Sequence, residues 1–425
     1  MCRRRVSRPW GGPRGTTLRL DPVPTGPPAG LAAPTAPPEP VAAPNRPHPP
    51  GCGQERNRRL DWSSRESSRS VGHQGACQTM TAAAFDWQEA VAARARLQGV
   101  ARHTPLLPVP DLGPGPAPYL KLESLQLTHA FKFRGAYNRV SVLGPDQRRA
   151  GLVTASSGNH GLGLSLAARM LGGKATVVMP LGAPRNKELG CLRYGATVIR
   201  AGQVYEDALA HALELAEQQD LTYVPSFDDP LIAAGQATVA WEILQDLPDV
   251  DVIVAPIGGG GLLAGIAGLL KCLPEDESRR LFPSRRRPLA DILLVGVQAA
   301  GAASTVESAR LGRRLELATI DTIADGIAVR QPGIWTFDVI HSAVDDYVTV
   351  EDEEMLRAVG LAATREKLVL EPAGAAALAA VLSGKQGRRV DLGATLAGGH
   401  KVVCIASGGN VEPGVLAEAV EQAAR

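Results

Sequence analysis

From residue 152 onward, short runs of apolar, largely β-branched residues alternate with glycine-containing turns and alanine-rich stretches. Strands that are apolar almost throughout are typical of a parallel sheet covered by helices on both faces. The alternation therefore predicts an α/β fold. The candidate strands are Leu152–Ala155, Ala175–Met179, Thr197–Arg200, Val252–Pro256, Ile292–Val297 and Lys401–Ile405. The candidate helices include Leu162–Leu171, Tyr205–Gln219 and Leu231–Gln245.

The composition excludes several classes of protein. Hydrophobic residues make up 44% of the chain, enough for a sizeable core, and the formal net charge of +2 predicts no general attraction to nucleic acid or anionic membrane. No apolar run reaches the length that crosses a bilayer. The six cysteines form no CxxC pair and no Cys/His cluster, which favours free thiols in a reducing compartment. We therefore expect a cytoplasmic protein without a metal site.

Residues 1–79 differ in composition from the rest of the chain. They hold 14 of the 33 prolines and 12 arginines but no lysine, so they cannot bury enough apolar surface to offset the entropy of ordering. Three interpretations stay open: a disordered tail, an organelle-targeting sequence, or a wrongly assigned start with translation beginning at Met80. The prolines would break the amphipathic helix that a targeting sequence usually needs. We favour the third interpretation, in which translation starts at Met80, the only other methionine before Met170. From residue 82 to 101 the spacing of apolar residues predicts such a helix, and residues 119–124 read as a strand.

Four glycine-containing turns are candidates for a binding site. Three of them follow predicted strands, where the carboxyl ends of a parallel sheet meet and ligands bind. The turns are Thr154–Leu162, Pro256–Gly265, Ile405–Val411 and Leu370–Ala376. The first places backbone N–H groups at a helix N-terminus, which attracts anions. The four glycines of the second let the backbone wrap around a phosphate, without the signature of a P-loop or a dinucleotide site.

Lys132 lies between Phe131 and Phe133 in the segment HAFKFRGA. Partial burial among aromatic rings would lower the pKa of its amine and make the amine a nucleophile for a carbonyl group. The alternative is an amphipathic segment whose lysine extends to solvent. Together with the phosphate cradle, the lysine predicts a phosphorylated aldehyde as ligand, and pyridoxal 5′-phosphate is the obvious one.

With these motifs, residues 82–420 resemble the fold-type II pyridoxal-phosphate enzymes, which are tryptophan synthase β-like. Within them the chain most resembles the catabolic threonine ammonia-lyases (threonine dehydratases) and their serine dehydratase and serine racemase relatives. The resemblance is carried by FKFRGA, SSGNHG, GQATVAWEI, PIGGGGLLAG, TIADGIAVRQPG, EPAGA and SGGN. It implies two open-sheet, three-layer α/β/α domains and a homodimer or homotetramer. We expect a large cofactor-binding domain from residues 80–151 plus 229–425, and a small domain, residues 152–228, that closes over the substrate.

The resemblance also implies roles for individual residues. Lys132 would form the Schiff base with the cofactor and remove the Cα proton of the substrate. Asn159 would hydrogen-bond the 3-hydroxyl of the cofactor ring, and Ser407 the pyridine nitrogen. The phosphate would be held by Gly258, Gly259, Gly260, Gly261 and Leu262. The substrate carboxylate would be surrounded by Ser156, Ser157, Gly158, Asn159 and His160, of which Ser157 is also a catalytic candidate.

The implied activity is that of a carbon–nitrogen lyase. It would convert L-threonine, and L-serine, to 2-oxobutanoate or pyruvate and ammonia by β-elimination. A serine at the ring nitrogen makes the cofactor a milder electron sink than an acid would, which favours elimination over transamination. The sequence does not separate threonine from serine, because one methyl group is worth only about 1–3 kcal/mol of discrimination in a pocket.

Two further functions remain open. Ser157 matches the opposite-face proton donor of serine racemases, so a racemase, or a dehydratase of another β-hydroxy amino acid such as 3-hydroxyaspartate, is the alternative. Gln298 stands where such racemases have a metal-binding carboxylate, with Ala302 and Ser304 following, which makes that metal site doubtful. Ala130 replaces the serine that usually precedes Phe-Lys. From another class, a non-catalytic phosphate-binding module would need only the glycine run.

Overall fold

The computed structural model describes residues 85–113 and 115–424. The predicted tail, residues 1–79, and the first residues of the predicted N-terminal helix lie outside the described residues. None of the helices within these two ranges is both long and apolar enough to span a membrane.

The described strands form two sheets. The strands are β1 (Leu106–Pro108), β2 (Tyr119–Lys121), β3 (Leu152–Ala155), β4 (Ala175–Met179), β5 (Thr197–Arg200), β6 (Thr222–Tyr223), β7 (Val252–Pro256), β8 (Leu293–Ala299), β9 (Asp346–Val350) and β10 (Val402–Ile405). The larger sheet has the order β1-β2-β10-β7-β8-β9 and the smaller the order β5-β4-β3-β6. Among these strands every neighbouring pair is parallel except β1 and β2.

Helices connect the strands and cover the sheets. The α-helices are α1 (Trp87–Leu97), α2 (Lys132–Ser141), α3 (Pro145–Ala150), α4 (Asn159–Met170), α5 (Arg185–Arg193), α6 (Tyr205–Gln218), α7 (Pro230–Asp246), α8 (Gly261–Cys272), α9 (Glu275–Leu281), α10 (Ser304–Leu311), α11 (Ile334–Ala343), α12 (Asp352–Leu361), α13 (Pro372–Leu382), α14 (Leu392–Ala397) and α15 (Pro413–Ala423). Short 3₁₀ turns include Glu123–Leu125 and Asp325–Ile327.

Strand β7, at the centre of the larger sheet, shows why the strands are apolar throughout. Val252 and Val254 belong to an apolar cluster that includes residues of α12 and α13. Ile253 and Ala255, which alternate with them, belong to a second cluster that includes residues of α7 and α8. Side chains of successive strand residues point to opposite faces, so the sheet is buried on both faces as the middle layer of an α/β/α arrangement.

The predicted strands and helices are found with small shifts at their ends. Strand β8 begins one residue later than predicted and ends two residues later, at Ala299. Helix α4 begins at Asn159, three residues before the predicted start, and therefore includes part of the SSGNH turn. Strand β9 has no counterpart among the predicted strands. The smaller sheet lies within residues 152–228, but the predicted domain boundaries stay a prediction.

Candidate active site

A cleft lies where turns from both sheets meet. It is lined by residues that follow β3, β7 and β10: Ser156–His160, Gly258–Leu262 and Ser407. The structure thus brings together every residue that the sequence assigned to the site.

Lys132 is the first residue of α2 and lines this cleft. Its Nζ donates a hydrogen bond to the backbone oxygen of Ser226 at 2.8 Å. The rings of Phe131 and Phe227 lie 5.4 Å and 6.0 Å from Nζ. Burial lowers the pKa of Lys132 to about 8, so a share of the amine is neutral and nucleophilic near neutral pH. The alternative, a lysine extending to solvent, is wrong.

The glycine run forms the start of α8. Gly260, at φ 102°, lies in the left-handed region, and the helix begins at Gly261. A Cβ on Gly259 would stand 2.4 Å from the ring of Phe227, and one on Gly260 would stand 3.0 Å from Cβ of Thr336. Glycine is therefore required at both positions by the side chains packed around the loop. The result is a helix N-terminus that faces the cleft and attracts an anion.

The SSGNH turn divides its two serines between different environments. Ser156 is buried, and its Oγ accepts hydrogen bonds from the backbone N–H groups of Gly158 and Gly161, both at 3.0 Å. The Ser156 hydroxyl oxygen is therefore engaged in shaping the turn. Ser157 is partly exposed and lines the cleft, so it is the serine of the pair with access to a ligand.

His160 is buried beside the cleft. Burial and then the charge of Lys132 lower the pKa of His160 to about 3, so the imidazole is neutral. Its Nε2 lies 3.3 Å from the backbone oxygen of Val224, and its Nδ1 has no hydrogen-bond partner. Because a carbonyl only accepts, Nε2 carries the hydrogen and Nδ1 is an acceptor. His160 therefore offers no positive charge to a substrate carboxylate.

Ser407 and Lys132 are held together by backbone contacts. The N–H of Phe131 donates to the backbone oxygen of Ser407 at 3.1 Å. Ala130 and Gly408 pair as an isolated bridge. The end of β10 and the start of α2 are thereby fixed to each other at the cleft.

A buried ion-pair network explains the residues of two motifs that do not line the cleft. Arg134 of FKFRGA is 1% exposed and donates to Glu123 and to Glu242 of VAWEI, with distances of 2.7 to 2.9 Å. The helices α2 and α7 cross closely at Gly135 and Gly235, where a Cβ on Gly235 would stand 2.6 Å from Cα of Gly135. These motifs fix the helix that carries the lysine.

The structure adds cleft residues that the sequence did not single out. Lys187 of α5 lies 2.6 Å from Oδ2 of Asp325 and 3.0 Å from Oε2 of Glu371. No local signal marks Lys187, because it lies in a charged stretch that reads as solvent-exposed. Tyr205 and Phe227 also line the cleft. The sequence left Glu371 open as either a helix-start charge or a site residue, and its buried carboxylate contacts two cleft residues, Asn159 and Lys187.

Gln298 has a structural role. It is fully buried, and its Oε1 accepts hydrogen bonds from the N–H groups of Thr305 and Val306 in the first turn of α10. Over residues 85–113 and 115–424, no group of three or more His, Cys, Asp and Glu side chains is arranged to hold a metal ion.

The cleft residues fit the predicted cofactor. An amine with a lowered pKa faces the cleft from Lys132. The glycine run supplies a helix N-terminus for a phosphate, and the Ser407 side chain is available beside them. An aldehyde-binding amine and a phosphate cradle in one cleft are what pyridoxal 5′-phosphate requires.

Comparison with known proteins gives the same class. Residues 97–408 match the family model described as pyridoxal-phosphate dependent enzyme, and the chain belongs to this family. The predicted fold class and the predicted cofactor are thereby confirmed.

Two relatives are similar over most of this length. L-threonine ammonia-lyase of Thermotoga maritima is 39% identical over 294 residues, which cover 69% of this chain and 67% of the relative. The catabolic L-threonine dehydratase TdcB of Escherichia coli is 38% identical over 294 residues, covering 69% and 83% of the two chains.

Two solved structures are similar in fold over most of this chain. The processed form of threonine deaminase isoform 2 from Solanum lycopersicum has a TM-score of 0.68 at 32% identity, covering 80% of this chain and 88% of that one. Maize serine racemase has a TM-score of 0.69 at 30% identity, covering 80% and 98%.

Proposed function

We propose that this enzyme is an ammonia-lyase that converts L-threonine, and L-serine, to 2-oxobutanoate or pyruvate and ammonia. The observation that carries the proposal is the amine of Lys132, which lies in a cleft between two helix N-termini. The relatives named L-threonine ammonia-lyase, at 39% and 40% identity, support the substrate.

The proposed roles follow from the contacts of each residue. Lys132 would hold the aldehyde of the cofactor and take the Cα proton, since its lowered pKa leaves part of the amine free to accept one. The N–H groups at the start of α8 would hold the phosphate, and Ser407 the pyridine nitrogen. Pyridoxal 5′-phosphate, when bound, supplies an electron sink that stabilises negative charge on Cα.

The substrate carboxylate would lie at the N-terminus of α4. The N–H groups of that turn that do not donate to Ser156, together with the Ser157 hydroxyl, would be its donors, and the helix dipole favours its charge. Because His160 is neutral, we assign it to the shape of the pocket, where it does not pair with the carboxylate charge.

A racemase is the second candidate, and Ser157 favours it. The residue is accessible from the cleft, and a hydroxyl facing Cα from the side opposite Lys132 would be placed to return a proton. A dehydratase of 3-hydroxyaspartate is less favoured. The cation that a second substrate carboxylate would need, Lys187, is already paired with Asp325 and Glu371.

The test is the visible spectrum of the purified protein, followed by addition of L-threonine and detection of 2-oxo acid. We expect a yellow protein that makes 2-oxobutanoate, and a Lys132→Ala variant that neither binds the cofactor covalently nor turns over. Lys174→Ala, which changes an exposed lysine remote from the cleft, is the matched control and should behave as wild type. A yellow protein that ignores threonine but yields D-serine from L-serine would transfer the proposal to the racemase.

We also propose a small domain of residues 152–228 that closes over the substrate, and a large domain of residues 80–151 plus 229–425. The restriction of the four-stranded sheet to the first range supports this division. A cytoplasmic homodimer or homotetramer completes the proposal. Light scattering of the purified protein tests its oligomeric state, and a monomer would contradict it.

A further inference from the structure

A chain of hydrogen bonds fixes the carboxamide of Asn159 from both sides. Nδ2 of Asn410 donates to the backbone oxygen of Thr128 at 2.9 Å and to Oδ1 of Asn159 at 2.8 Å. Nδ2 of Asn159 in turn donates to Oε1 of Glu371. A backbone carbonyl at one end and a carboxylate at the other only accept hydrogen bonds. Both carboxamides therefore have one orientation, in which Asn159 turns its NH₂ group toward Glu371.

The side chain of Glu371 is fixed at the end of this series of hydrogen bonds. Glu371 occupies the N-cap position of α13, yet its side chain does not cap the helix. The side chain is buried and uses its second oxygen for Lys187, at 3.0 Å. Burial by itself would lower the pKa of Lys187, but the carboxylates of Glu371 and Asp325 raise it above its ordinary value. Lys187 therefore stays charged, with a hydrogen bond to Asp325 and an ion pair with Glu371.

Glycines from three motifs leave room for these side chains. A Cβ on Gly408 of SGGN would stand 2.1 Å from Oε1 of Glu371. A Cβ on Gly374 of EPAGA would stand 2.1 Å from the backbone oxygen of Gly408, and one on Gly158 of SSGNH would stand 2.1 Å from Cδ of Lys187. The separate motifs thus converge on one set of polar contacts.

We propose that Glu371 is a positioning residue, which orients the Asn159 carboxamide so that it presents an N–H donor to the cleft. The group that Asn159 meets there must then be an acceptor oxygen, as on the ring of the cofactor. This inference rests on the proposed role of Asn159 as a cofactor ligand. Glu371 itself acts only through Asn159.

The substitution Glu371→Gln tests the inference because it keeps size and shape but leaves one acceptor where there were two. The Lys187 ammonium lies beside one oxygen of residue 371 and the Asn159 carboxamide beside the other, and the charged group attracts the single remaining oxygen more strongly. The glutamine therefore turns its oxygen to Lys187 and its NH₂ to Asn159, which loses its orientation. Removing Lys187 as well, in Glu371→Gln with Lys187→Met, frees the oxygen for Asn159.

The readouts are the absorption maximum of the bound cofactor and its dissociation constant from the protein, both measured without substrate. For Glu371→Gln we expect a shifted maximum and about ten-fold weaker binding, the equivalent of about 1.4 kcal/mol for one misdirected hydrogen bond. The double variant should recover both values. A merely structural role for Glu371 predicts no recovery, because the double variant removes more contacts than the single one.

Three further variants separate the outcomes. Asn159→Ala should shift the absorption maximum on its own, and an unchanged maximum would contradict the proposed role of Asn159. If Asn159→Ala shifts the maximum but Glu371→Gln does not, only the inference about Glu371 is overturned. Asn410→Ala removes the hydrogen bond to Oδ1 of Asn159 and should shift the maximum in the same direction. This variant keeps the inference testable if Glu371→Gln does not fold. Asp346→Asn changes a buried carboxylate that accepts backbone N–H groups remote from the cleft, and it should leave the spectrum unchanged. A double variant no better than Glu371→Gln would overturn the proposal.

Discussion

Arg134→Met would remove the central cation of the buried network behind Lys132. Arg134 donates to both oxygens of Glu123 at 2.8 Å and to Glu242 at 2.7 and 2.9 Å. In this variant Glu242 would still form an ion pair with Lys121, whose Nζ lies 2.6 Å from Oε2 of Glu242. Glu123, which is 0% exposed, would keep only the hydrogen bond from the Thr104 hydroxyl. Breaking a buried ion pair by removing one partner costs about 3–5 kcal/mol. We expect the free energy of unfolding to fall by about that amount.

Urea unfolding followed by tryptophan fluorescence measures this loss. Arg149→Met, which breaks the exposed pair of Arg149 and Asp146, is the control and should cost less than about 1 kcal/mol. Glu123→Gln combined with Arg134→Met should cost less than the sum of the single changes, because it removes the uncompensated charge. The reasoning is refuted if Arg134→Met costs no more than Arg149→Met, or if the double variant is additive.

Two further predictions concern the cleft. Because the folded state holds the pKa of Lys132 at about 8, below its ordinary 10.5, the unfolded chain binds more protons between these values, and stability should rise with pH across that window. In the cofactor-free protein, Lys132→Met should therefore be more stable than wild type at pH 7 and lose this advantage by pH 10.5, as thermal unfolding at several pH values would show. Gly259→Ala should lower stability by about 1–3 kcal/mol, because its Cβ would stand 2.4 Å from the ring of Phe227. Gly414→Ala, where no atom lies within 4 Å of the new Cβ, should be neutral or slightly stabilising in its helix.

Much of the fold could be predicted because its strands carry a local signal. Strands β3, β4, β5 and β7 begin and end at the predicted residues, since a buried parallel strand is an apolar run interrupted by turn residues. Strand β9 was missed because alternate residues are only half-buried and it lies at the edge of its sheet. Its sequence, DYVTV, lacks the continuous apolar run.

The cleft residues that could be predicted are those that lie in short segments of unusual sequence. Lys132 between two aromatic residues and four consecutive glycines are unusual in any context. Lys187 and Asp325 could not be found in the same way, because their importance arises from a contact across 138 residues of sequence. The buried position of Ser156 and the neutral state of His160 likewise depend on packing that no short segment encodes.

The two apolar clusters on either side of β7 have a consequence for protein engineering. One includes Val252 and Val254, the other Ile253 and Ala255, and the sheet backbone separates them. Substitutions more than about 7–10 Å apart with no shared partners combine nearly additively. Packing changes in the helices on opposite faces of the sheet, away from β7 itself, can therefore be selected separately and then joined in one chain.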